Sequence, residues 1–171
     1  LDRRFLSGLS KEQWIDVTNE VVSKLTDEVL SQAVHQLPAE MYSLEGTKLE
    51  KVLKSRRDKL KEVSTEFYEL LSGYVDIRGS EKDELVKIDR LDKKQTRISL
   101  YKIGKKSGKV KEEPFFDRVF VAKDTKEIRL YLLGGDDSIE YSGLKSNDIS
   151  VDIYREGNNY LPTSTTDEQK Y

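Results

Sequence analysis

The chain has 171 residues, with 30 Lys and Arg against 32 Asp and Glu, and it has no cysteine. That length allows one or two domains, and a folded body of this size buries roughly 70% of the surface its unfolded chain exposes. The charge balance holds in both halves, since residues 1–73 carry 11 basic and 13 acidic groups, so neither nucleic acid nor an anionic membrane has global electrostatic support as a partner. Without cysteine there is no disulfide framework, thiol nucleophile or cysteine-built zinc site. No apolar run approaches the ~20 residues of a spanning helix, so this segment is not expected to insert directly into a membrane. Met41 is the single methionine and the chain opens at Leu1, as expected of an excised piece whose signal peptide, if encoded, lies upstream.

Hydrophobic spacing changes near Gly73, from intervals of three and four to intervals of two. Ser10 with Gln13 has capping-box spacing and predicts a first helix with Trp14, Val17, Val21, Val22 and Leu25 on one face. Thr26-Asp27-Glu28 supplies an N-cap and acidic first turn for a second helix, with Val29, Leu30, Ala33, Val34 and Leu37 facing inward and Pro38 ending it. Glu45-Gly46 is expected to break the chain after one short turn. A third helix then starts at Thr47 with Glu50 as its box partner. Its stripe is Leu49, Val52, Leu53, Leu60, Val63, Phe67, Leu70 and Leu71, and Ser72-Gly73 is its stop.

Beyond Gly73, seven strands are predicted, over 74–78, 84–91, 96–103, 115–122, 127–133, 138–141 and 149–154. Alternation is clearest where Ile128, Leu130 and Leu132 oppose Arg129 and Tyr131. The connectors are short and turn-rich, and no helical crossover separates neighbouring strands, so antiparallel hairpins or a meander are expected. The predicted fold class is α+β. A helical layer of about three helices over 1–73 leads into an antiparallel sheet or sandwich over 74–162, with a tail at 163–171.

The most informative stretch is Thr125 to Asp137, an alternating strand that runs into Gly134-Gly135-Asp136-Asp137. Such a corner can turn one strand into the next, or it can be half of a calcium-binding β-roll repeat, with Asp136 and Asp137 as hard oxygen ligands. Only one copy of the repeat is present. Asn147-Asp148 and Gly157-Asn158-Asn159 are further turn signals that could act as neighbouring corners. Apart from calcium, no cofactor is indicated.

Several other residues draw attention. The third helix is dense in basic groups, but Glu50, Asp58 and Glu62 interleave with them as an ordinary solvated face would require. Arg56 and Arg57 are the exceptions, because Arg56 falls between Leu53 and Leu60 and is expected to meet a carboxylate there. They are candidate interaction residues. His35 is the lone histidine, expected on the surface or near the C-terminal end of the second helix. Trp14, Tyr42, Phe67 and Tyr68 are expected to pack the helical layer. Tyr131, with Tyr141 and Tyr154, is a candidate for recognising glycan or peptide. No phosphate loop, dinucleotide-binding glycine run, nucleophile elbow or His-Glu-x-x-His is present, and no catalytic residue is assigned.

Three stretches, Leu1 to Ser10, Leu53 to Leu60 and Thr125 to Asp137, together resemble a segment of large gram-negative envelope proteins. Those proteins join enzyme-like N-terminal regions to a C-terminal outer-membrane β-barrel of the surface-antigen type. The resemblance implies a periplasmic connector whose partners are neighbouring domains of the same polypeptide. It implies no catalytic residue. The leading expectation is thus a non-catalytic structural or interaction module of a cell-envelope protein. A calcium-stabilised β-roll fragment and a hydrolase domain with a site assembled from scattered Asp, Glu and Tyr are the alternatives.

Overall fold

A computed structural model describes residues 7–105 and 107–155 of the chain, and the backbone of 160–162. The chain divides into two compact units, Leu9–Leu70 and a second made of Leu1–Gly8 with Leu71–Tyr171. Ser7 and Gly8 therefore belong with the β part rather than with the helical layer. Ser7 is tied there by its carbonyl, which accepts a hydrogen bond from the Arg118 guanidinium. The expected corner at Gly157-Asn158-Asn159, the tail at 163–171 and the first six residues of the opening motif lie outside the described residues.

The helical unit starts as the capping spacing predicts. Helix α1, Lys11–Lys24, has a full box: the Ser10 hydroxyl accepts the Gln13 N–H at 3.3 Å, and the Gln13 side chain accepts the Ser10 N–H at 2.9 Å. Helix α2, Asp27–Val34, is capped by Thr26, whose hydroxyl accepts the Val29 N–H. Only Leu30 and Val34 of α2 are buried, and Val29 and Ala33 are exposed.

The expected break at Glu45-Gly46 does not occur. A turn at Ala39–Met41 runs through a π-helical segment, Tyr42–Gly46, straight into helix α3, Thr47–Ser72. Gly46 serves packing here, because a Cβ built on it would lie 2.5 Å from Cδ2 of the Tyr42 ring. Thr47 has φ −61° and ψ −40°, which places it inside the helix and not at a cap. Glu50, freed from capping, accepts the Ser31 hydroxyl at 2.5 Å and pairs with Lys54 at 2.7 Å.

Trp14 of α1 docks on α3: its indole N–H reaches the Ser64 hydroxyl at 2.8 Å, and its ring lies 5.9 Å from that of Tyr68. The single apolar stripe expected on α3 is in fact two. Leu53, Leu60 and Tyr68 are half-buried or buried, whereas Leu49, Val52, Val63, Phe67 and Leu70 are exposed.

The β unit contains β1 (Tyr74–Arg78), β2 (Glu84–Arg90), β3 (Gln95–Lys102), β4 (Phe116–Val121), β5 (Glu127–Leu132), β6 (Ser138–Gly143), β7 (Ser150–Arg155) and β8 (Tyr160–Pro162). Strand positions follow the period-two reading, and the α+β class holds. Pairing follows it only in part. One sheet has the order β1-β5-β7-β8 and the other β4-β3-β2-β6. Antiparallel pairing holds for β2 with β3, β3 with β4 and β7 with β8, but β1, β5 and β7 run parallel, and so do β2 and β6.

The physical reason is that the parallel crossovers are made by strands, one between β5 and β7 and three between β1 and β5, and not by a helix. The chain climbs β5 in one sheet, crosses to β6 in the other and returns to β7 beside β5. The short segments after β1 and β5 are thus corners between sheets and not hairpin turns. Val75, Ile77, Ile128, Leu130, Val151 and Ile153 of one sheet share a buried cluster with Val86, Ile88, Ile98, Leu100 and Phe120 of the other.

Burial ranks the sites energetically. Leu130 is fully buried in the central strand β5, so Leu130→Ala should lower the unfolding free energy by about 2–5 kcal/mol in urea titration. Leu60→Ala, at a half-buried site on α3, should cost clearly less. Equal losses at the two positions would contradict this packing.

Candidate functional site

The Gly134-Gly135-Asp136-Asp137 corner lies directly against the earlier corner between β1 and β2. β1 pairs with β5, and β2 with β6, in one shared register, so Tyr74 faces Glu127 and Leu85 faces Ser138. Stacked residues are separated by 53 positions in the sequence, as in the bonds that join the corners. Gly135, at φ +90°, permits that approach: a Cβ there would lie 2.6 Å from the carbonyl carbon of Lys82 and 2.7 Å from the Asp83 nitrogen.

The carboxylates of this double corner act on backbone donors. The Asp136 N–H donates to Asp83 Oδ1 at 3.0 Å, and the Glu84 N–H donates to Asp137 Oδ1 at 3.0 Å. Glu84 itself is fully buried, and its carboxylate accepts the Ser80 N–H at 3.0 Å and the Ser80 hydroxyl at 2.6 Å. The Arg155 guanidinium donates to the Asp137 carbonyl at 3.2 Å. Burial pushes the Asp137 carboxyl above its ordinary value; the Glu84 N–H acts against that rise, and the Glu84 charge adds to it.

Of the two residues expected as calcium ligands, Asp136 is exposed and Asp137 half-buried. Asp137 spends one oxygen on the Glu84 amide. Among the described residues no group of three or more His, Asp or Glu side chains is arranged to hold a metal ion.

The remaining candidates lie apart from this corner. Arg57, not Arg56, turns toward carboxylates: it meets Asp27 at 2.6 Å and Asp58 at 2.8 Å, and its side chain is 16% exposed. Arg56 is exposed. Both arginines stand three or four residues from Leu53 and Leu60, so spacing alone does not separate them; Arg57 is singled out by its tertiary partners, the Leu25 carbonyl at 3.0 Å and Asp27. The hydrogen bond from Arg57 holds Asp27 below the usual carboxylate range, and the Lys54 partner does the same for Glu50.

These pairs border an open depression of about 480 Å³ lined by Thr47, Glu50, Lys51, Lys54, Ser55 and Asp58. Lys54 and Glu50 each favour the charged form of the other, which is ion-pair behaviour and leaves neither poised to move a proton near neutrality. His35 caps the C-terminal end of α2 with Nδ1 on the Ser31 carbonyl at 2.7 Å, and its ring lies 4.5 Å from that of Tyr42.

On the outer face of the parallel sheet, Arg78, Tyr131 and Tyr154 share one register row. The Tyr131 and Tyr154 rings stack at 4.9 Å, and the Arg78 guanidinium lies 5.1 Å above Tyr131. Tyr141, on β6, is away from this row and exposed, with its hydroxyl pushed up by partial burial.

Two arrangements were not anticipated from sequence. Arg97 forms a two-pronged pair with Asp117 at 2.7 and 2.5 Å, joined by the Ser99 hydroxyl, and this holds Asp117 below its ordinary value. Asn147 locks the turn between β2 and β3, its amide donating to the Asp92 and Gln95 carbonyls and to the Thr96 hydroxyl while its oxygen accepts the Ile149 N–H. Only the Asn-Asp turn signal hinted at it.

Comparison of the chain with protein-family models, with curated proteins and with solved structures finds no match.

The corner makes a signed prediction. Asp137→Ala leaves the Glu84 N–H without its acceptor and should cost about 1–2 kcal/mol at neutral pH, whereas Asp137→Asn keeps an oxygen there and should be at least as stable as the parent. Because the folded-state value of Asp137 is raised, its ionisation destabilises the fold as pH rises through that value. The lead of Asp137→Asn should therefore be greatest at pH 7 and shrink toward the ordinary value of 3.8. Urea midpoints measured across that window check it, and equal losses for the two variants would contradict it.

Proposed function

We propose that this chain is a non-catalytic structural module of a larger cell-envelope protein, one that spaces or docks neighbouring domains. The observation that carries this reading is the parallel order β1-β5-β7. A pull applied between the start of β1 and the end of β7 acts along the strands in opposite directions and strains all the intervening hydrogen bonds together. Ends of an antiparallel hairpin would instead be peeled apart one bond at a time. A spacer under tension is well served by the first geometry.

The corner chemistry supports the same reading. Of the two carboxylates that a β-roll would offer to calcium, that of Asp137 accepts the Glu84 amide, and the Asp136 amide donates to Asp83, so the two corners are bonded directly to each other. The envelope location rests on the family resemblance, in which such a segment links a domain upstream to a barrel downstream.

Because the chain has no native cysteine, handles are placed cleanly by Tyr74→Cys and Arg155→Cys. Single-molecule pulling through those handles should give one cooperative rupture of the β unit, at higher force than pulling through handles at the two ends of the β2–β3 hairpin. Gradual lengthening without a peak would contradict a mechanical role.

Thermal melts give an independent check. With calcium or with chelator the midpoint should be the same, since an ion bound only by the folded state would raise it. A calcium-dependent rise would favour the β-roll alternative.

A further inference from the structure

Strand β6 ends the order β4-β3-β2-β6, so one of its edges pairs with β2 and the other meets no strand among the described residues. The ladder decides which backbone groups are left over. The Leu144 N–H donates to the Arg90 carbonyl at 3.1 Å, and Arg90 is in register with Gly143. In a parallel pair this turns the N–H and C=O of Glu140 and Ser142 toward β2, and those of Ile139 and Tyr141 toward the open edge. Such a row is a template for another strand unless Lys, Pro or a bulge blunts it. Ser138–Gly143 contains neither residue and keeps an unbroken register, and its one charge, Glu140, is matched by Lys87 at 3.4 Å.

Side-chain exposure points the same way. Tyr141 is in register with the fully buried Ile88, so its ring leaves from the core side of the sheet, yet it is 53% exposed because the sheet ends at β6. Ile139, in register with the buried Val86, is only half-buried. A strand added at the open edge would cover both.

The occupant that fits is β6 itself. Two copies related by a two-fold axis perpendicular to the sheet meet antiparallel, and two registers overlap most of the strand. The register centred on Glu140 sets that carboxylate directly against its own copy, which is unfavourable. The register centred on Tyr141 lays the two tyrosines side by side, with Glu140 of each copy opposite Ser142 of the other and Ile139 opposite Gly143, which has no side chain to collide with it. Flanking charge agrees, because Asp137 of each copy falls opposite the exposed Lys145 of the other, with the exposed Asp136 next to it in the chain.

We propose that β6 is a self-pairing edge: a second copy of this chain adds its own β6 antiparallel, centred on Tyr141, and the two four-stranded sheets become one continuous sheet. The inference rests on strand pairing within the β unit and not on the mechanical reading.

Sedimentation velocity of the full chain at micromolar concentrations and above should show reversible dimers. Tyr141→Lys sets two ammonium groups side by side and should weaken dimerisation roughly tenfold or more while leaving the far-ultraviolet circular dichroism unchanged. Amide hydrogen exchange of the unaltered chain reads the edge itself: Ile139 and Tyr141 should gain protection as the dimer forms, whereas Glu140 and Ser142, bonded to β2, should be protected throughout. Register is read by oxidation, since the chain has no native cysteine. Ser138→Cys and Leu144→Cys chains, mixed, should cross-link to each other, and Ser138→Cys alone, with its two copies about 20 Å apart, should not. A chain that stays monomeric, a dimer indifferent to Tyr141→Lys, a dimer whose Ile139 and Tyr141 amides exchange as in the monomer, or efficient self-cross-linking of Ser138→Cys would overturn the proposal.

Discussion

The arrangement of the β unit depends on two chain corners lying one on the other in a fixed register. Once Glu84 and Asp136 place their amide hydrogens on Asp137 and Asp83, the strands on either side of the corners have no freedom of alignment. β1 is set beside β5 and β2 beside β6 with one and the same sequence offset. A one-residue slip would turn the buried Ile77, Ile128 and Leu130 outward and lose the apolar burial that binds the sheets. The acids here are therefore geometric devices. Asp137 bears the desolvation cost of that role, visible in its raised proton affinity, while Glu84 is accommodated by two bonds from Ser80.

Much of this fold is legible in the sequence, and the illegible part has a physical cause. Capping at Ser10 and Thr26 is local chemistry, decided within three residues, and it is found as read. Strand positions follow from alternation, because Ile128, Leu130 and Leu132 can share a face only in extended chain. Partner choice is a different kind of information. The segment after Ile77 and the one after Leu132 look like hairpin turns in isolation, and nothing local records that each carries the chain into the facing sheet. Gly46 misleads in the same way: glycine signals a break locally, yet here it makes room for the Tyr42 ring inside a continuous helix. At the candidate site, the Gly-Gly-Asp-Asp corner stood out from residue types alone. Its partner corner, Gly79 to Glu84, lacks the repeat pattern and is identified only by the pairing of strands far apart in sequence.

The helical unit shows the complementary situation. Its inward contacts are few and specific, centred on Trp14 against Ser64 and Tyr68 and on Arg57 against Asp27. The surface ion pairs around α3 add little to stability individually, because exposed charges are well solvated before they meet. Reading Arg56 and Arg57 as equivalent hides a difference: Arg57 is committed to the unit through Asp27 and the Leu25 carbonyl, and Arg56 is exposed.

The parallel stacked register is tested most directly by nuclear Overhauser effects between backbone protons of the β unit. Ile128 should show cross-strand contacts to both Val75 and Val151, and Ile88 to Tyr141, with the staggered pattern of parallel strands. Close Hα–Hα contacts joining β1 directly to β2, or β5 directly to β6, would mean hairpins in place of stacked corners and would contradict the account.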